Sequence, residues 1–264
     1  MMKFMFRGLI LTMVFLANIA TANQLKDLSQ APISQAELKQ LITATPLTSP
    51  VQFKLIPRAA SSGLEKFAFE QYSLIAQKQP NNGNALLLQG LAAEKYWYHA
   101  RKKSVNELPD GSPQEIAFLK KVGAYLARAV VLLPNSAVAN EACGNYLWQF
   151  GNDNVGGMKL LKKAVALAPK NASAHAYLAD MYSNPAPDLF SPAKAEAEFR
   201  EAARLDPNYA FPRFGLARLY VDQKRYREAQ MQLKAYAALL PSGSAQFANV
   251  QFIQQVIDAG LSGK

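Results

Sequence analysis

Two histidines, a single cysteine and one short aromatic and basic run are the side chains in this sequence with the most chemistry to offer. His99 lies within Tyr96-Trp97-Tyr98-His99-Ala100-Arg101-Lys102-Lys103, and His175 follows Asn171-Ala172-Ser173-Ala174. Acid–base or nucleophilic catalysis needs such a group beside a matching acid, base or nucleophile. Neither histidine has one at a spacing that names a reaction, and the chain carries no Gly-rich phosphate loop, no HExxH and no GxSxG. One cysteine and two histidines cannot supply four zinc ligands, nor can a lone cysteine form an intrachain disulfide. No catalytic residue, metal site or cofactor is expected. The run Tyr96, Trp97, Tyr98, Arg101, Lys102 and Lys103 offers binding chemistry instead. Aromatic rings stack on sugars and cations pair with acidic groups, which suits an anionic glycan or a lipid headgroup. Three adjacent aromatics cannot share one helix face, so one or two of them belong to a core.

The chain that must position these residues has 264 of them, half hydrophobic and 18% charged, which excludes wholesale disorder and allows a sizeable core. Its first residues differ from the rest. Lys3 and Arg7 precede an uncharged run from Gly8 to Ala17, and Ala20-Thr21-Ala22 follows with small residues where a signal peptidase needs them. This is the layout of a secretory signal, with cleavage predicted after Ala22; retention as an anchor is the alternative reading. The apolar run is shorter than the roughly 20 residues of a membrane span, so none is expected after cleavage. Residues 1–22 hold no acid, and their removal leaves 27 basic against 19 acidic residues, a net charge of +8. Export argues against nucleic acid as the counterpart of that charge. Anionic lipid, glycan or acidic protein remain, beside a basic face that merely keeps the protein soluble.

Prolines organise the remainder. Pro80, Pro134, Pro169, Pro207 and Pro241 each close an apolar helical run, at intervals of 54, 35, 38 and 34 residues. These are 34-residue units with insertions of 20, 1, 4 and 0. Proline fits there because it cannot continue a helix. Ten residues after the first four stand Gly90, Gly144, Ala179 and Ala217. Twelve before the five stand Ala68, Val122, Gly157, Ala195 and Ala229, and eight before stand Tyr72, Leu126, Leu161, Phe199 and Leu233. Each unit therefore reads as two antiparallel amphipathic helices meeting at small residues, and stacking is needed to bury their faces.

The pattern resembles the tetratricopeptide repeat from about Gly83 to Pro241. Ala210 to Pro241 carries Leu216-Ala217, Tyr220, Ala229, Leu233, Tyr236 and Pro241 at the family's offsets, and Ala172 to Pro207 carries Leu178-Ala179, Tyr182, Ala195, Phe199, Ala202 and Pro207. Ala137 to Pro169 is looser, with Cys143-Gly144 and Leu147 standing in. The resemblance implies an all-α, right-handed superhelix of about four tetratricopeptide-like helix hairpins with a C-terminal capping helix. It places Cys143 and His175 at packing positions. It also implies that the first helix of each pair lines a concave face, so that Glu141, Asn145, Trp148, Asp180, Phe211, Phe214 and Arg218 are candidate groove residues. Trp148, Phe211 and Phe214 are then either anchors for a peptide or packed between helices, Asn145 a partner for its backbone, and Arg218 for a carboxylate. The lysine–asparagine clamp of chaperone-binding relatives is not reproduced, because Glu141 stands at the lysine position.

The expected organisation is a signal at residues 1–22, an irregular arm at 23–62, the repeats at 63–243 and a capping helix at 244–264. In the arm, Ser34-Gln35-Ala36-Glu37 is a capping box opening a short helix to about Thr43, and Val51 to Leu55 alternates like a short strand or extended arm. The 20-residue insertion lengthens both helices between Gly83 and Pro134 to about 20 residues each. Asn184 to Pro192 forms a proline-rich loop exposing Phe190. These features predict a non-catalytic periplasmic or secreted scaffold that holds a protein or peptide, with envelope or secretion-machine assembly as the process it would serve. The alternative is an envelope-surface binder of anionic glycan or lipid through the Tyr96–Lys103 helix.

Overall fold

The computed structural model describes residues 32–101, 107–184, 189–244 and 246–262. The predicted signal at residues 1–22 lies outside them, as do Lys102, Lys103 and residues 185–188 of the proline-rich loop. Twelve α-helices and no strand occur among the described residues, in two compact units, Met1–Leu132 and Leu133–Lys264.

The first unit holds α1 (Gln35–Ala44), α2 (Pro50–Ser61), α3 (Glu65–Lys78), α4 (Gly83–Ala100) and α5 (Pro113–Leu132). The capping box opens α1 as expected, the Ser34 hydroxyl accepting from the Glu37 amide at 3.2 Å. Val51 to Leu55, expected as a strand, is helical and forms the start of α2. Ser49 caps this helix and Pro50 occupies its first turn, a start signal that outweighs five residues of chance alternation. Val51, Gln52, Leu55, Ile56 and Ala59 are buried, which is the stripe of a helix. Helix α2 is tied to α3 where the Tyr72 hydroxyl donates to Gln52 Oε1 at 2.8 Å. Pro46 stands 34 residues before Pro80, the repeat spacing, but α2 and α3 meet less closely than the paired helices of the other units. The insertion lengthens α4 and α5 to 18 and 20 residues, as expected.

The second unit stacks three hairpins and a last helix. They are α6 (Ala137–Gln149) with α7 (Asn154–Leu167), α8 (Ala172–Tyr182) with α9 (Pro192–Leu205), α10 (Ala210–Asp222) with α11 (Tyr226–Ala238), then α12 (Phe247–Leu261). Asn82, Ser136 and Asn171, each two residues past a repeat proline, cap α4, α6 and α8 through their side chains. Small residues meet where α6 crosses α7. A Cβ on Gly157 would lie 3.0 Å from the Gly144 carbonyl oxygen, and one on Gly144 would lie 2.9 Å from Leu161 Cγ. The expected terminal helix seals the last hairpin with Ile253 and Ile257, which join Leu216, Tyr220, Leu233 and Tyr236 in one core.

Candidate functional site

The predicted groove residues all lie in the second unit, on α6, α8 and α10. Most of them bridge neighbouring hairpins. Glu141 accepts from Asn171 Nδ2 and from the Ser173 hydroxyl, both at 2.5 Å. Asn171 Oδ1 in turn accepts from the Ser173 amide and caps α8, so Glu141 clamps the start of the next repeat. Trp148 Nε1 donates to Asp180 Oδ2 at 2.9 Å, joining α6 to α8. Asn145 is buried and accepts from Gln149 Nε2 at 2.7 Å. Phe211 lies among Tyr177, Phe199 and Tyr209, each with its ring centroid 6.1 Å away. Burial pushes the Tyr209 phenol up, and the charges of Glu141 and Asp180 push it further. Trp148 and Phe211 thus contact neighbouring hairpins while staying partly exposed.

Phe214 and Arg218 differ. They line a cavity of about 330 Å³ with Val221 and Asp222, and α12 supplies the opposite wall through Asn249, Phe252, Ile253 and Val256. Phe214 packs on Tyr236 with centroids 5.0 Å apart, and the Arg218 guanidinium lies 5.8 Å from the Phe214 ring. Among the described residues Arg218 has no carboxylate within salt-bridge distance. The wall from α12 was missed in the sequence reading, which gave residues 244–264 only a capping role. Phe252 was the available signal, an apolar residue off the buried stripe.

The Tyr96–Lys103 run divides as geometry requires. Trp97 is core, donating from Nε1 to Glu115 Oε1 at 2.8 Å. Tyr96 stacks on Phe69 and donates to Glu107 at 2.5 Å, while Lys66 also holds Glu107 at 3.1 Å. The Tyr96 hydroxyl and Lys66 keep the Glu107 carboxyl below the usual carboxylate range. Arg101 bonds Asp110 at 2.5 Å and Glu115 at 3.1 Å and covers the Trp97 ring at 4.7 Å. Tyr98 is exposed, with Lys95 at 5.9 Å from its ring. The helix end is therefore tied to α5, and its cation Arg101 already faces two carboxylates.

The other reactive side chains are His175, Cys143 and His99. His175 is buried with Nδ1 2.5 Å from Glu198 Oε2 and Nε2 3.0 Å from the Pro169 carbonyl. Cys143 is buried in α6, and burial pushes its thiol up to about 11. His99 Nδ1 lies 3.4 Å from Glu65 Oε2, and neither atom has a hydrogen-bond partner among the described residues. Phe190 is exposed, as the sequence implied.

No protein-family model and no curated protein matches this sequence. Solved structures do. The Cut9–Hcn1 hetero-tetramer of the APC/C aligns over 86% of this chain and 39% of its own, at 15% identity and a TM-score of 0.61. MamA (41-end) from Desulfovibrio magneticus RS-1 aligns over 79% of this chain and 97% of its own, at 18% identity and a TM-score of 0.49. A thermophilic tetratricopeptide protein of Thermus thermophilus, TTC0263, aligns over 75% and 89%, at 17% identity and 0.49. The fold is of the tetratricopeptide type. At these identities the likeness concerns architecture, and a tetratricopeptide-type fold serves many roles.

Proposed function

We propose that this protein is an exported, non-catalytic scaffold that binds a protein or peptide segment at the α10–α12 cavity. The observation that carries this reading is the wall of that cavity. Phe252 is 67% exposed, beside an Arg218 that no carboxylate of the described residues engages. An apolar rim around one free guanidinium suits a segment offering an apolar side chain and a carboxylate. The non-catalytic part rests on the packing roles of His175 and Cys143. Export rests on the sequence of residues 1–22, and a periplasmic or secreted location follows from it.

Site-specific photo-crosslinking in the source cells tests the binding site. A photoreactive residue at Phe252 is expected to trap a defined protein, and Arg218→Glu is expected to abolish the adduct. Adducts that persist unchanged in Arg218→Glu would remove the cavity as the site. For export, the recovered chain is expected to begin at Asn23. Recovery of the intact N-terminus from the cytoplasm would overturn that part alone.

A further inference from the structure

Several lysines without a counter-charge lie close together elsewhere in the second unit, on α7 and α9. From Asn154 to Ser173 the sequence has Lys159, Lys162, Lys163 and Lys170 and no acidic residue. All four are exposed, as is Lys194 on α9. None has a carboxylate within salt-bridge distance among the described residues. Two of them converge: Lys162 Nζ lies 5.8 Å and Lys194 Nζ 5.5 Å from the ring centroid of Tyr182. The acids that would normally answer them are engaged. Glu198, one turn beyond Lys194, is bound to His175, and Asp153 accepts from the Gly156 amide at the start of α7.

Apolar side chains are exposed beside these cations. Val155, one turn before Lys159, is 76% exposed. Phe190 is 52% exposed, and the next residue ties it to the same place, the Ser191 amide donating to the Tyr182 carbonyl at 2.9 Å. Unpaired lysines attract anionic headgroups, while an exposed aromatic and an aliphatic side chain gain only where an apolar phase lies beneath those headgroups. A soluble polyanion would satisfy the lysines and leave Phe190 and Val155 in water.

We infer that the α7–α9 surface, built on Lys159, Lys162, Lys163, Lys194 and Phe190, docks on a membrane rich in anionic phospholipid. This surface is separate from the cavity and does not depend on it. It also differs from the Tyr96–Lys103 helix, whose Arg101 is already paired.

Vesicle co-sedimentation of the chain from Asn23 onward, which retains every described residue, tests the assignment. Vesicles of phosphatidylcholine mixed with phosphatidylglycerol are compared with phosphatidylcholine alone, at low and high salt. Wild type is expected to prefer the mixed vesicles and to release at high salt. Replacing Lys159, Lys162, Lys163 and Lys194 by Gln is expected to weaken binding about ten-fold or more, with unchanged far-UV circular dichroism. Phe190→Ser is expected to weaken it several-fold while preserving salt dependence. Replacing the exposed Lys39, Lys54, Lys120 and Lys121 of the first unit by Gln, an equal loss of charge, serves as a variant expected to bind like wild type. Equal binding to both vesicle types, or full binding by the lysine variant, would overturn the assignment. So would loss of binding on changing only Lys102 and Lys103 to Gln, which would move the surface to the end of α4. Binding to polyglutamate without binding to vesicles would overturn it in favour of an acidic polypeptide.

Discussion

At the residue scale, surroundings shift the titration of chemically capable groups in both directions. Cys143 is the plainest case, because a thiol pushed up to about 11 by burial carries almost no thiolate near neutrality. A thiol reagent at pH 8 is expected to leave the native protein unmodified and to react fully in guanidinium; rapid native-state labelling would contradict this placement. Glu196 shows the opposite shift. Arg225 hydrogen-bonds it at 2.7 Å, and the Tyr220 hydroxyl and Arg200 add to the effect, holding its carboxyl below the ordinary range. A carboxylate depressed in the folded state adds stability above its unfolded value, about pH 4.3, and loses it as pH falls through the folded value. Arg225→Leu is therefore expected to lower the melting temperature at pH 7, with the gap to wild type narrowing toward pH 3. A gap independent of pH would assign the loss to the packing of Arg225 on Tyr220, 4.1 Å from the ring centroid.

At the scale of elements, one buried amide organises the first unit. Gln52 is fully buried in α2. Its Nε2 donates to the Ile42 and Thr45 carbonyls at 3.0 and 2.8 Å, and its Oε1 accepts from the Tyr72 hydroxyl at 2.8 Å. The amide thereby satisfies the C-terminal end of α1 and ties α2 to α3. Gln52→Leu keeps the volume but takes this partner from the Ile42 and Thr45 carbonyls, while the Tyr72 hydroxyl keeps the backbone carbonyl of residue 52 at 3.3 Å, and a loss of about 1–3 kcal/mol is expected in denaturant titration. Tyr72→Phe orphans one oxygen and is expected to cost less. Equal costs for both would show that the carbonyls of α1 find other partners. The α2 assignment itself illustrates how local signals compete. A start signal at Ser49-Pro50 and the 34-residue spacing from Pro46 to Pro80 were both present in the sequence, yet a five-residue alternation pointed to a strand. Ten residues after Pro46 stands Ile56, not the small residue found at Gly90, Gly144, Ala179 and Ala217, so this segment lacks one mark of the repeat units.

At the scale of the molecule, repeats share stability mainly with their neighbours, so damage should remain local. Leu55→Ala empties a fully buried site in the first unit at a cost of about 2–5 kcal/mol. Hydrogen exchange is expected to accelerate through α1 to α4 while α10 to α12 keep their protection. Uniform acceleration would instead mark a single cooperative block. The same short-range logic explains what was readable from the sequence alone. Helix class, repeat register, the long α4 and α5 and the terminal helix rest on prolines, caps and small residues, signals a few positions apart. The use of each exposed position does not. Trp148 and Asp180 are 32 residues apart, as are Glu141 and Ser173, and only the stacking of hairpins brings them together. The wall that α12 adds to Phe214 and Arg218, and the gathering of Lys162 and Lys194 at Tyr182, arise in the same way. Local spacing decides which way a side chain starts out from its helix, but its partner comes from another helix, so tertiary packing alone decides which groups are satisfied and which are left to bind.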